Sequence, residues 1–272
     1  MPASEGRGDL TSGSDRLDSV EIKVTFSGAG AAAATGALAP DTGGARRRVY
    51  FCENLARSAA PGQLPLLDAG LILRLRAGSG RGGAVTAELR PCRRSRLSER
   101  WLRFRERGPD SFHLAGAWSG DRRVLSATFV SDCGRTAVEA AAAGTAPLDL
   151  VFSDSQRAFL ADCADIDVGF GSLDVLGPVH TVRRHGVRLD HHEVTLEHWT
   201  LPAGRGDAEG VPLEWLEVSE RVAPEGAEVV QASLTALLKG KGLEPDLGSG
   251  IRVRRVLEEL VAQGARRAPR SQ

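Results

Sequence analysis

The chain has 272 residues, enough for one large β domain or two smaller ones, and its 35 lysine and arginine residues balance 35 aspartate and glutamate residues. A net charge of zero gives no global field toward nucleic acid or an anionic membrane, so any anion site must be local. The bases are overwhelmingly arginine, which suits bidentate phosphate or carboxylate contacts, although abundant Arg, Ala and Gly also fit a GC-rich genome. Four widely spaced cysteines, Cys52, Cys92, Cys133 and Cys163, form no CxxC pair and support neither a zinc cage nor a disulfide framework. The polar, Gly/Ser-rich start has no apolar signal core, and no run of about 18 apolar residues occurs; a cytoplasmic, non-membrane protein is expected.

Residues 1–18 read as disordered. The segment 20–26 reads as a strand, with Val20, Ile22, Val24 and Phe26 on one face and Glu21, Lys23 and Thr25 on the other. The Gly/Ala-rich insert 28–45 shows no apolar partner spacing and reads as a second disordered stretch. A short strand over 49–52 leads through Pro61 and Pro65 to Gly70. The next strand sets Leu71, Leu73 and Leu75 against Ile72, Arg74 and Arg76, and 85–90 sets Val85, Ala87 and Leu89 against Thr86, Glu88 and Arg90. Strands over 112–118 and 123–129 are joined by a Ser119-Gly120-Asp121 turn.

The Ala-rich 136–147 reads as a short helix or linker, a candidate boundary between halves 19–133 and 148–264 of one domain spanning 19–264. Ser153 and Gln156 form a capping box that opens a helix with Phe159, Leu160 and Cys163 on its inner face. Strands return at 175–184, 188–201 and 213–222, with Glu197 and Glu217 in polar rows. Helices over 229–239 and 251–263 present apolar faces expected to cover the outside of the sheet, and 265–272 reads as a disordered tail.

A single alternating strand is ordinary half-exposed sheet, but five such strands with helices available for the apolar side suggest a curled sheet with its charged rows inward. Such a lumen gathers Glu21, Lys23, Arg74, Arg76, Glu88, Arg90, Glu197 and Glu217. A mixture of this kind needs compensating partners when dehydrated: arginine and lysine hold phosphate oxygens, and carboxylates hold Mg²⁺ or Mn²⁺.

The order VEIK at 20–23, VYF at 49–51, GLILRLR at 70–76, VTAELRP at 85–91, LEHW at 196–199 and EWLEVS at 214–219 resembles the CYTH family, or triphosphate tunnel metalloenzymes, over roughly 19–222. The resemblance implies an α+β fold, an antiparallel eight-stranded β-barrel tunnel with helices packed outside. Such tunnels serve adenylate cyclase, thiamine triphosphatase, inorganic triphosphatase and RNA triphosphatase activities. Glu21 and Lys23 match the last two positions of the family's E-x-E-x-K and are the implied catalytic pair. Arg74 and Arg76 match its phosphate-binding arginines, with Lys23, Arg90 and Arg183, or its neighbour Arg184, as further anion contacts. Glu21, Glu197 and Glu217 are the implied ligands of Mg²⁺ or Mn²⁺.

Four positions depart from the pattern: Ser19 for the first acid, Glu88 for a lysine, Ala115 in a strand that carries no carboxylate, and Ser219 for a late acid. The expected ligand is a triphosphate-containing small molecule or polyphosphate, with no strong case for nucleic acid. Three functions fit: a metal-dependent triphosphatase, a degenerate tunnel that binds without cutting, or a β-rich interaction protein. His185, His191, His192 and His198 read as solvent-facing or core residues, the two RGD triplets at 7–9 and 205–207 as chance, Lys239-Gly240-Lys241-Gly242 as no P-loop, and the arginines of 93–105 as a solvated face.

Overall fold

Nine strands close on themselves in the computed structural model, which describes residues 16–38, 43–60, 62–203, 212–246 and 251–267. The strands are β1 (Ser19–Ser27), β2 (Ala45–Glu53), β3 (Leu71–Gly78), β4 (Gly82–Leu89), the two-residue β5 (Glu106–Arg107), β6 (Asp110–Ser119), β7 (Arg122–Gly134), β8 (Asp174–Leu189), β9 (His192–Leu201) and β10 (Leu213–Val222). The helices are α1 (Gly28–Leu38), α2 (Pro65–Asp68), α3 (Glu99–Arg103), α4 (Arg135–Ala142), α5 (Asp154–Cys163), α6 (Ala227–Gly240) and α7 (Ile251–Arg267). Around the barrel the order is β1-β10-β9-β8-β2-β3-β4-β7-β6, and β5 pairs only with β6. The sheet therefore interleaves the first and second stretches of the chain.

The expected α+β barrel is present, with two differences in detail. It has nine strands in place of eight, and its seam is parallel: β1 meets β6 with Ser19 opposite Ala115 and Glu21 opposite Ala117. Close approach at the seam requires a small residue, because a Cβ on Gly116 would stand 3.2 Å from a Val20 methyl.

Outward-facing apolar rows make two cores. Ile22, Phe26, Leu216 and Val218 pack under α1 and α6 through Ala31, Ala34, Leu234 and Leu238. Leu75, Val85, Ala87 and Phe129 pack under α3, α4 and α5 through Trp101, Val138 and Phe159. Each fully buried side chain of this size contributes roughly 1.5–3 kcal/mol. The capping box of α5 forms as expected, and Gln156 goes further by donating its amide to the carbonyls of Val85 and Phe129 at 2.9 and 3.2 Å.

Four expectations are corrected. The insert 28–45 is helical over Gly28–Leu38, because alanine is the best helix former and Ala31, Ala34 and Leu38 fall on one buried stripe; residues 39–42 lie outside the described residues. Of the start, 1–15 lie outside the described residues, but Arg16 is buried and donates to the carbonyls of Trp101, Leu102, Phe104 and Phe112. Helix α7 runs on to Arg267, three residues into the expected tail. It also does not cover the outside: Val253, Val256, Leu257 and Leu260 pack with Phe51, Val179, Trp199 and Trp215, residues of the inward rows. Both RGD triplets lie outside the described residues. Among the described residues no helix is long and apolar enough to cross a membrane.

Candidate functional site in the barrel lumen

Register fixes which side chains share the lumen. Lys23 stands opposite Ser219, Thr25 opposite Glu217, Glu217 opposite Glu197, Glu197 opposite Arg183, and Arg74 opposite Thr86. Of the two neighbouring arginines, Arg183 faces the lumen, whereas Arg184 pairs with outward-facing Leu196 and donates to the carbonyl of Gly43. Glu21, Lys23, Arg74, Arg76, Glu88, Arg183, Glu197 and Glu217 all fall on this inward face, and Arg90 reaches it from the end of β4. Arg47, unforeseen in an exposed-looking Ala45-Arg46-Arg47-Arg48 run, faces in as well, opposite Thr181.

One end of the lumen is open. A cavity of about 590 Å³ is lined there by Arg46, Arg47, Arg76, Ala84 and Asp132 beside the Gly78–Gly83 turn. The turn stays small because a Cβ on Gly83 would come within 2.9 Å of Val138. The other end is closed by the apolar face of α7.

The carboxylates are engaged by cations of the chain itself. Lys23 Nζ lies 3.1 Å from Glu21 and 3.6 Å from Glu217. Glu88, where the resemblance implies a lysine, pairs with Arg74, lies 3.4 Å from Arg90 and accepts from Ser126 Oγ at 2.9 Å. Burial alone would raise the Glu88 carboxyl, but Arg90, Arg74 and Lys23 together hold it well below the usual carboxylate range. Glu88 in turn raises Arg90. Glu217 is likewise opposed by burial, yet Arg252, Lys23, Arg90 and Arg183 bring it down to about 2.

Arg252, on α7, was invisible to strand periodicity. It forms an ion pair with Glu217 at 2.8 Å, not aligned as a hydrogen bond, and its guanidinium lies 4.6 Å from the ring centre of Trp199.

The arginines nearer the open end behave differently. Burial and the guanidiniums of Arg74, Arg183 and Arg47 push Arg76 down to about 10, while Glu197 pulls the other way. Among the described residues, neither Arg76 nor Arg183 has a carboxylate within ion-pair distance, and Arg74 Nε, Arg183 Nε, Thr86 Oγ1 and Thr181 Oγ1 are buried without a hydrogen-bond partner. These buried polar atoms lie among guanidiniums of like charge.

Glu21, Glu197 and Glu217 have the right chemistry for Mg²⁺ or Mn²⁺ and occupy neighbouring strands. Among the described residues, however, no three His, Cys, Asp or Glu side chains stand together closely enough to hold a metal ion. Lys23 lies between Glu21 and Glu217, and Arg252 takes the other side of Glu217, so the set as arranged does not fit a resident ion. At the seam Ser19, Ala115 and Ala117 face in beside Glu21.

The histidines and the arginine cluster lie elsewhere. His192 is buried, 2.7 Å from Glu220 and 3.1 Å from Ser233 Oγ, and ties α6 to the β9–β10 hairpin. Arg93 and Arg96 pair with Asp165, Arg103 with Glu99, and Arg100 covers Trp101 on an exposed face.

This closed, charge-lined barrel is the fold of the triphosphate tunnel proteins, and solved structures share it across nearly the whole chain. HpAC1 from Hippeastrum, named as an adenylyl cyclase and described as having dominant triphosphatase activity, superposes with a TM-score of 0.51 at 17% identity, covering 87% of this chain and 95% of its own. The bh2851 protein of Bacillus halodurans, named as an adenylate cyclase, gives a TM-score of 0.50 at 12% identity, covering 86% and 94%. No protein-family model matches the sequence, and no curated protein does. At these identities the likeness establishes the fold and leaves the chemistry to the residues.

Proposed function

We propose that the tunnel is a receptor for a linear phosphate anion, a triphosphate-containing small molecule or polyphosphate, that enters at the Arg46–Arg47–Arg76 mouth. Lys23, Arg74, Arg76, Arg90 and Arg183 are its contacts. The observation that carries this reading is the cluster of Arg74, Arg76 and Arg183: burial and the two neighbouring guanidiniums push Arg76 down, and Arg74 and Arg183 carry buried Nε atoms without a hydrogen-bond partner. An anion is what such a cluster lacks, since charge-assisted bonds to phosphate oxygens are worth roughly twice neutral ones. Glu88 tempers the affinity by occupying Arg74 and Arg90.

A second reading, turnover, is favoured by Glu197 standing directly opposite Glu217 on the same wall as Glu21. In that reading the protein is a Mg²⁺- or Mn²⁺-dependent triphosphatase, with Glu21 and Lys23 as the catalytic pair. Glu21, Glu197 and Glu217 would hold the ion only after Lys23 and Arg252 withdrew. The dominant triphosphatase activity described for HpAC1 lends this reading support by analogy of fold alone.

One experiment separates the possibilities. Millimolar tripolyphosphate should raise the melting temperature of the full chain as RT ln(1 + [L]/Kd), and the Arg74→Ala, Arg76→Ala double variant should lose the shift. Phosphate release with Mg²⁺ or Mn²⁺ above that of the double variant would establish turnover; a shift without release leaves a receptor. No shift at all favours a β-rich interaction protein whose charged rows serve another purpose.

A further inference from the structure

We propose that Lys23 and Arg252 stand in for a divalent cation in this tunnel, so that it takes its phosphate ligand as the free anion rather than as a metal complex; the inference rests on the anion-binding reading above. Three carboxylates on adjacent strands, with Glu217 directly opposite Glu197, repel one another unless a cation lies among them. The chain supplies that charge itself. Lys23 Nζ bridges Glu21 and Glu217 at 3.1 and 3.6 Å, and Arg252 lies 2.8 Å from the far side of Glu217.

Arg252 is not a surface side chain that drifts in and out. It is 8% exposed, its guanidinium lies over the Trp199 ring, and its neighbours on α7, Val253 and Val256, are buried in the apolar closure of the barrel. Withdrawing it means loosening the end of the helix that seals the lumen. Lys23 lies on β1 opposite Ser219 and is held by ion pairs to both Glu21 and Glu217.

The charges inside agree. Lys23, Arg74, Arg76, Arg90, Arg183 and Arg252 face Glu21, Glu88, Glu197 and Glu217, so cations already exceed carboxylates before any ion enters. A divalent ion at Glu217 would sit against both Lys23 and Arg252 at contact distance. The changes at Ser19, Ala115 and Ser219 point the same way, because each inward position is neutral and none adds a ligand.

The test is a titration of the full chain with sodium tripolyphosphate, once in EDTA and once in excess Mg²⁺, beside a titration with Mn²⁺ alone followed by electron paramagnetic resonance. Wild type is expected to bind tripolyphosphate in EDTA at least about tenfold more tightly than in excess Mg²⁺, which sequesters the free anion as its complex, and to leave Mn²⁺ free in solution. Arg252→Gln, which frees one side of Glu217, is expected to weaken binding in EDTA by about tenfold and to gain bound Mn²⁺, whereas Arg252→Lys keeps the wild-type pattern. Binding that appears only with Mg²⁺, or a tight Mn²⁺ site in the wild type, would overturn the inference while leaving the tunnel a phosphate receptor. Arg252→Gln behaving as wild type in both titrations would overturn the role of Arg252. Absence of binding in both buffers would overturn the receptor reading itself and this inference with it. If Arg252→Gln fails to fold, the wild-type titrations and Arg252→Lys still decide.

Discussion

The two ends of the lumen are built from the same inward rows but do opposite work. Along β2 the row runs Arg47, Val49, Phe51; along β3 Arg76, Arg74, Ile72; along β8 Arg183, Thr181, Val179; along β9 and β10 Glu197 gives way to Trp199 and Glu217 to Trp215. Each of these five strands passes from polar to apolar toward the end that α7 closes. One end is therefore hydrophobic core turned inside out and the other a cation-lined pocket. Stability and ligand affinity should accordingly be separable by position along a single strand.

The largest effect is expected at the closed end. Phe51→Ala removes a fully buried ring stacked 6.3 Å from Trp199 and should cost about 3–5 kcal/mol in chemical denaturation. A loss below about 1 kcal/mol would mean that α7 does not seat on these rows.

Acid comes next. Glu217 titrates at about 2 in the folded protein against an ordinary 4.5, so its stabilisation is complete above 4.5 and fades as pH falls from there through 2. Stability should drop by about 3 kcal/mol over that window from this group alone, with Glu88 adding in the same direction, and Glu217→Gln should flatten the curve. Glu88→Gln keeps the geometry but leaves Arg74 and Arg90 uncompensated. It should cost about 2 kcal/mol without ligand, and tripolyphosphate should restore more stability to it than to wild type.

The smallest effect belongs to the open end, where Arg47→Ala should change stability by no more than about 0.5 kcal/mol while weakening tripolyphosphate. A large stability loss there would erase the distinction between the two ends.

Much of the barrel was legible because strand side chains alternate: Glu21 and Lys23, Arg74 and Arg76, Glu197 and Glu217 all face inward as their parity requires. What escaped depends on contacts distant in sequence. The parallel seam pairs Ser19 with Ala115, a register that neither segment encodes alone. Helix α1 hid in a Gly/Ala stretch whose small buried side chains give almost no amphipathic contrast, although Ala31, Ala34 and Leu38 share a stripe. Arg252 was unreadable because its partner lies on β10, across a segment that periodicity does not measure, and the apolar face of α7 fits a barrel's inside as well as its outside. Arg47 was masked by its neighbours, since three consecutive arginines carry no alternation and only the strand's pairing shows which one turns in.

The central claim is that the unpartnered arginines of the open half hold a linear phosphate anion. Calorimetric titration of tripolyphosphate into wild type, Arg76→Ala and Arg183→Ala tests it most directly. One anion per chain should bind, with each single substitution weakening it by about tenfold or more and leaving the unliganded melting temperature unchanged or slightly raised, as one like charge is relieved. Equal affinity in all three proteins, or no heat from the wild type, would contradict it.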